Sequence, residues 1–221
     1  MIAKELINFV IPALTPDHSI HRAFEWMQAF RITQLPVVES KLFKGFLSEE
    51  TFFDQIDKDL RTKDFSYKAV NCFIHADQHF YDLLKTASDH ESNLVAVLDD
   101  NNEYVGVITV EDTITALAQT AAIQIPGAIL VLLMDQVQYS LAEVSRLVES
   151  ENMKVVSSFI NHDQLDPSLL KLTIKVDKTA ISHLVRTLER FDYKVLATFQ
   201  ETNVISNERE RLDQLMNYLN I

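Results

Sequence analysis

Glycine is scarce in this chain, at three residues in 221. Phosphate loops ending Gly-Lys-Ser/Thr and dinucleotide fingerprints need several glycines close together, because glycine alone lets the backbone approach a pyrophosphate there. Neither pattern occurs, and Gly-x-Ser-x-Gly is also missing. Cysteine is nearly absent. Cys72 stands alone, which excludes an intramolecular disulfide and any paired-cysteine metal site. It lacks a nucleophile motif and is expected as a small buried residue in the strand opening a second repeat. A reducing, cytoplasmic setting is the expectation. Five prolines, 47% hydrophobic and 24% charged residues exclude collagen, coiled coil and general disorder.

Long apolar runs are missing too. The longest, Ala128 to Met134, has seven residues, where a membrane helix takes about 20. Met1 to Val10 carries Lys4 and Glu5 among its apolar residues, unlike a signal peptide. Positive charge is in short supply: 20 Lys+Arg face 32 Asp+Glu, for a net charge of −12. Such a field repels phosphate backbones and anionic lipid, so neither nucleic acid nor membrane is an expected partner.

What the chain does contain is a repeat. Residues 14 to 51 hold a Pro16-Asp17 turn, a helical stretch Ser19 to Phe30, a strand Leu35 to Glu39, a short turn at Ser40-Lys41, and Gly45-Phe46-Leu47-Ser48-Glu49-Glu50-Thr51. Residues 74 to 112 repeat that order, with Asp77 following Asp17 by 60 positions and Gly106 following Gly45 by 61. In the second copy Asp99 to Glu103 clusters turn formers between the strand Leu94 to Leu98 and Gly106 to Asp112, the mark of a hairpin. Each unit reads as helix, strand, turn, strand, helix, with Thr51 to Leu60 and Thr113 to Thr120 as closing helices. Neither could bury its sheet alone, so the two are expected to pack together with a cleft where equivalent loops meet.

Gly106-Val107-Ile108-Thr109-Val110-Glu111-Asp112 resembles the signature of the CBS domain family: glycine, hydrophobic, any residue, Thr or Ser, two residues, then Asp or Asn. The first copy matches at Gly45, Phe46 and Ser48 and has Thr51 where the carboxylate belongs. The resemblance implies a tandem CBS pair in which Gly106, Thr109 and Asp112 bind an adenosine nucleotide, Thr109 at phosphate and Asp112 at ribose. Ser48 and Arg31 are lesser candidates. The chemistry suits this: Thr109 lies where strand passes into helix, so backbone donors and the positive helix end favour an anion, and a carboxylate accepts both hydroxyls of a ribose. The same Thr109-x-x-Asp112 spacing also reads as a capping box that merely satisfies the helix's first donors. Glu111 beside Asp112, and Glu49 with Glu50, disfavour polyphosphates. Arg31 and Lys44 are the nearest cations of the first copy, where the second has His90 and Val105. No cofactor is required; the candidate ligands are AMP, ATP or S-adenosylmethionine.

After Ala121 the pattern changes. Gln124-Ile125-Pro126-Gly127 marks a boundary. Then follow an apolar strand Ala128 to Met134, a helix Ser140 to Glu151, strands Met153 to Ile160 and Leu169 to Val176, a helix bearing Ile181, Leu184, Val185 and Leu188, and a strand Tyr193 to Phe199. That βαββαβ order is the ferredoxin-like arrangement and resembles an ACT domain. Asp135 and Leu141 match the family's turn from first strand to first helix, while Tyr139 occupies the place of its glycine. Asp135 and Tyr139 are therefore the candidates for a small-molecule site, with a dimerising role as the leading reading. Ser206 to Leu219 is expected as a final amphipathic helix.

The fold class expected is thus α/β (α+β): CBS repeats over 1–60 and 61–123, an ACT-like domain over 124–202, and a C-terminal helix over 203–221. Two CBS units followed by an ACT unit resemble the bacterial acetoin-utilisation regulatory proteins. The function expected is a non-catalytic sensor whose bound nucleotide alters a homodimer or an unknown protein target. The alternative is a dimerising module that binds nothing small, and a weaker one is an enzyme of acetoin metabolism. His18-x-x-His21 and His75-x-x-x-His79 have ligand-like spacings but no sequence-local third ligand, so no metal is expected.

Overall fold

The computed structural model describes residues 1–56 and 59–200. The chain divides into two compact units, Met1–Ala118 and Gln119–Ile221. The expected helix Ser206 to Leu219 lies outside the described residues.

The first unit carries α1 (Ile20–Phe30), β1 (Gln34–Glu39), β2 (Leu42–Ser48), β3 (Phe73–His75), α2 (Phe80–Asp89), β4 (Leu94–Leu98), β5 (Tyr104–Thr109) and α3 (Val110–Ala118). The two copies are built alike. Ser19 caps α1 by accepting the Arg22 N–H, and His79 caps α2 by accepting the Tyr81 N–H. Apolar positions at helical spacing, Ile20, Ala23 and Met27 on α1 and Phe80, Leu83 and Ala87 on α2, turn inward. β1 pairs with β2, and β4 with β5, antiparallel, and each ladder slips once, beside Val37 and beside Val97.

The copies complete one another's sheets crosswise. The N-terminal segment bridges Ile2 to His79 and Asn8 to Val107 of the second copy, and the linker bridges Arg61 to Ser19 and Lys68 to Phe46 of the first. Both motif glycines sit where such a segment passes. A Cβ on Gly106 would lie 2.6 Å from Ile7 Cγ2, and one on Gly45, at φ 126°, 2.8 Å from the Lys68 carbonyl oxygen. A single core results, with Leu14, Val37, Phe46, Leu94, Val97 and Ile108 at its centre. Burying each such side chain contributes about 1.5–3 kcal/mol.

Two expectations fail in this unit. Among the described residues of Thr51 to Leu60 there is no α-helix: short 3-10 turns occupy Glu49–Thr51 and Phe53–Gln55. Ser48 makes no capping bond, and Phe52, at φ −131° and ψ 2°, is drawn into the core against Phe65. Without a cap, helix nucleation is too costly to compete with burial of that ring. Cys72 is buried directly before β3 rather than within it.

The second unit runs α4 (Ala121–Gln124), β6 (Ala128–Asp135), α5 (Leu141–Ser150), β7 (Val155–His162), β8 (Leu169–Val176), α6 (Ser182–Arg190) and β9 (Lys194–Gln200). Its sheet has the order β7-β8-β6-β9, antiparallel throughout, which is the ferredoxin-like topology. Alternate residues of β6 and β8, among them Leu130, Leu132, Leu172 and Ile174, pack with Val144, Leu147, Leu184 and Leu188 of the helices. The expected strand from Met153 starts two residues later. Met153 is buried and its N–H returns to the Val148 carbonyl, closing α5. Gly127 admits the neighbouring strand: a Cβ there would lie 1.9 Å from the Val176 carbonyl oxygen. No helix among the described residues is long and apolar enough to cross a membrane.

Candidate functional site

The first unit holds a cavity of about 750 Å³, within the usual range for small-molecule sites. Both copies line it. The first supplies Phe30 and Arg31 at the end of α1 and Ile32 to Gln34 leading into β1; the second supplies Asn93 and Leu94 at the start of β4 and Thr109 to Asp112 at the start of α3. Asn8, Val10 and Ile11 of the N-terminal segment close it. The floor is tied by Gln34 Nε2, which donates to Ser92 Oγ at 2.6 Å, while Ser92 Oγ donates to the Leu94 carbonyl at 2.6 Å.

Arg31 reaches the cavity because α1 ends there in a left-handed turn, with Arg31 at φ 54° and ψ 43°. It is exposed and forms no salt bridge among the described residues. Its counterpart in the second copy is Glu91, at φ 49°, and not His90, since the left-handed residue of that turn comes one place later. Lys44 is engaged elsewhere, 3.4 Å from Glu39. Among the described residues the cavity is therefore lined by one cation, Arg31, and two carboxylates, Glu111 and Asp112.

Thr109 and Asp112 both line the cavity, and both already have protein partners. Thr109 Oγ1 accepts the Asp112 N–H at 2.8 Å, so it caps α3. The reciprocal half of a capping box is replaced: Asp112 Oδ2 accepts from Asn8 Nδ2 at 2.9 Å. The Val110 N–H is also engaged, at the Asn93 carbonyl. Two of the backbone donors that a helix start offers to an anion are thus spent within the protein.

Gly106 and Ser48 do not line this cavity. Gly106 lies on β5 opposite Val97 and serves the approach of Ile7. Ser48 stands in the other copy's motif, followed by Thr51, whose buried hydroxyl has no hydrogen-bond partner among the described residues. Lys68, the counterpart of Asn8, pairs there with Glu50 at 3.3 Å. Sequence reasoning missed Asn8, Gln34 and Asn93. Their signal was the repeat itself, because a two-copy module places each copy's entry segment on the other's sheet.

In the second unit a smaller cavity of about 550 Å³ is lined by Asp135, Glu143, Phe191, Tyr193 and Lys194, among others. Burial, and then the Glu143 carboxylate, push the Tyr193 phenol above its usual range. Tyr139 is not part of that lining; it is half-buried against the unit's core. Elsewhere, burial pushes the Cys72 thiol up, away from the thiolate a nucleophile needs. Among the described residues no three His, Cys, Asp or Glu side chains gather as a metal site would require.

Comparison with known proteins bears on the second copy first. Residues 63–119 match the family model of the CBS domain. The matched CBS segment contains Gly106, Thr109 and Asp112. Over 106 residues the chain is 31% identical to an uncharacterized protein of Methanocaldococcus jannaschii, an alignment covering 48% of this chain and 36% of that protein. The chain thus spans about a third of the curated relative it matches. Among solved structures, a CBS domain pair/ACT domain protein from Thermotoga maritima is 18% identical, with a TM-score of 0.49 over 54% of this chain and 98% of that one. CBSX2 in complex with AMP is 15% identical, with a TM-score of 0.45 over 53% and 96%.

Proposed function

We propose that the first unit is a regulatory, non-catalytic sensor that binds one adenosine nucleotide in the 750 Å³ cavity. The observation that carries this reading is the meeting of Arg31 from one copy with Thr109 and Asp112 from the other, beside the apolar side chains of Val10, Ile32, Leu94 and Ile114. Arg31 pairs with a phosphate as a charge-assisted donor. Asp112 keeps acceptor sites for a ribose diol beyond the one Asn8 takes. Thr109 accepts the Asp112 N–H and so holds the helix start in place, its hydroxyl hydrogen donates to the phosphate, and the apolar side chains receive the base. One cation against two carboxylates favours a single phosphate, or an adenosyl group, over a triphosphate.

The sensor acts by changing a homodimer or its contact with a protein target. Among the described residues β7 and β9 are the edge strands of the second unit's sheet, and such edges support a dimer through it. Asp135, at the end of β6 and lining the smaller cavity, is the candidate there for an additional small ligand. A reducing cytoplasm and a pathway such as acetoin use are the setting that the order of the units suggests.

A second reading has its own observation: Thr109 and Asp112 both have internal partners, as they would in a dimerising module that binds nothing small. Calorimetric titration with AMP, ATP and S-adenosylmethionine separates the two. The nucleotide reading expects saturable binding, AMP ahead of ATP, and at least about a tenfold loss in Asp112→Ala, the scale of a charged hydrogen bond. No heat with any of the three, alongside a firm dimer, establishes the second reading instead.

A further inference from the structure

We propose that Asn8 is a positioning residue for the cavity, holding the Asp112 carboxylate at the angle that receives a ribose diol; this rests on the nucleotide reading above. Three contacts fix Asn8. Its backbone N–H donates to the Val107 carbonyl at 2.8 Å, its Oδ1 accepts the Val10 N–H at 3.0 Å, and its Nδ2 donates to Asp112 Oδ2 at 2.9 Å. The second contact sets the third: with Oδ1 held by a backbone donor, the amide nitrogen has to face Asp112. The carboxylate is left with one lone-pair site filled and its remaining sites available to a ligand.

Gly106 makes this arrangement possible. A Cβ there would come within 2.6 Å of Ile7 Cγ2, and nothing else lies nearer than the Asn8 carbonyl at 3.9 Å. The glycine of the motif thus acts on the site through the segment that carries Asn8, without lining the cavity itself. The first copy lacks the device, since Lys68 and Thr51 stand at the two corresponding positions and do not pair with each other.

The test compares AMP with 2′,3′-dideoxy-AMP by calorimetric titration of the full chain. Asn8→Ala keeps the backbone bond to Val107, so the segment stays in place. AMP affinity is expected to fall about five- to tenfold, the scale of one hydrogen bond to a charged group, while the dideoxy compound, which cannot use Asp112, is unchanged. Gly106→Ala is expected to give the same selective loss by displacing Ile7, and the double variant Ile7→Ala with Gly106→Ala to recover AMP affinity. Equal losses for both compounds, or no loss of AMP affinity, overturn the positioning role while leaving the nucleotide reading intact. Wild-type protein that binds neither compound overturns both.

Discussion

Replacing Arg31 by glycine separates the stability of the first unit from its affinity for phosphate. Arg31 occupies the left-handed position that ends α1, at φ 54° and ψ 43°, and its N–H closes the helix on the Gln28 carbonyl at 3.3 Å. A side chain is unfavourable there by about 1 kcal/mol, and glycine is the residue that helix ends of this kind prefer. Arg31→Gly should therefore raise the melting temperature of the unit by about 4 °C. The same change removes the one cation that lines the cavity among the described residues. A guanidinium bound to phosphate at an exposed position contributes about 1–2 kcal/mol after solvent screening, so AMP affinity should fall about 5- to 30-fold. Adenosine, which has no phosphate, should bind the variant as it binds the wild type. Calorimetric titration with the two ligands and a thermal melt check both halves. Retained AMP affinity, or adenosine binding lost in step with AMP, would refute the assignment of Arg31 to phosphate. A melting temperature that falls would refute the account of the helix end.

Two further outcomes concern the framework. His18 Nδ1 accepts the Thr15 N–H at 3.1 Å, which requires the neutral ring; burial first, and then Arg22, hold its pKa below the ordinary 6.5. The folded state thus disfavours the proton, so this stabilisation is complete above about pH 6.5 and is lost as the pH falls through the lower folded value. His18→Gln, which copies the Gln78 oxygen that accepts the His75 N–H in the second copy, should remove that part of the pH dependence from urea melts; an unchanged pH profile counts against it. In the second unit, Gly127→Ala drives a Cβ onto the Val176 carbonyl and should cost about 2–3 kcal/mol by overpacking, read as an earlier unfolding transition; a variant as stable as wild type would show that the strand ends can part freely.

Much of the fold was legible in the chain because its signals are local. Ser19 and Phe80 sit at the starts of helices whose apolar residues recur at helical spacing, and Leu170 to Val176 alternates as a strand with one buried face. The ladder slips beside Val37 and Val97 fall in matching places because the two copies have matching sequences. The closing helix of the first copy misled because propensity there lost to burial: Phe52 turns into the core and the segment breaks into 3-10 turns. The candidate site was half legible. Thr109 and Asp112 announced themselves through spacing. Asn8, 104 positions from Asp112, had no local signature of that hydrogen bond, and only the repeat pointed toward it.

The amino-acid sequence by itself determined that this is a folded, strongly acidic chain with a duplicated first half and a βαββαβ second part, because composition, periodicity and self-similarity act over short stretches. The tertiary structure alone decided which residues share a cavity. Arg31 meets Thr109 and Asp112 because each copy's entry segment completes the other's sheet, and burying two half-exposed sheets in one core requires that exchange. It also decided that Gly106 makes room for Ile7 instead of lining the cavity, since what a missing side chain makes room for depends on which segment packs against it.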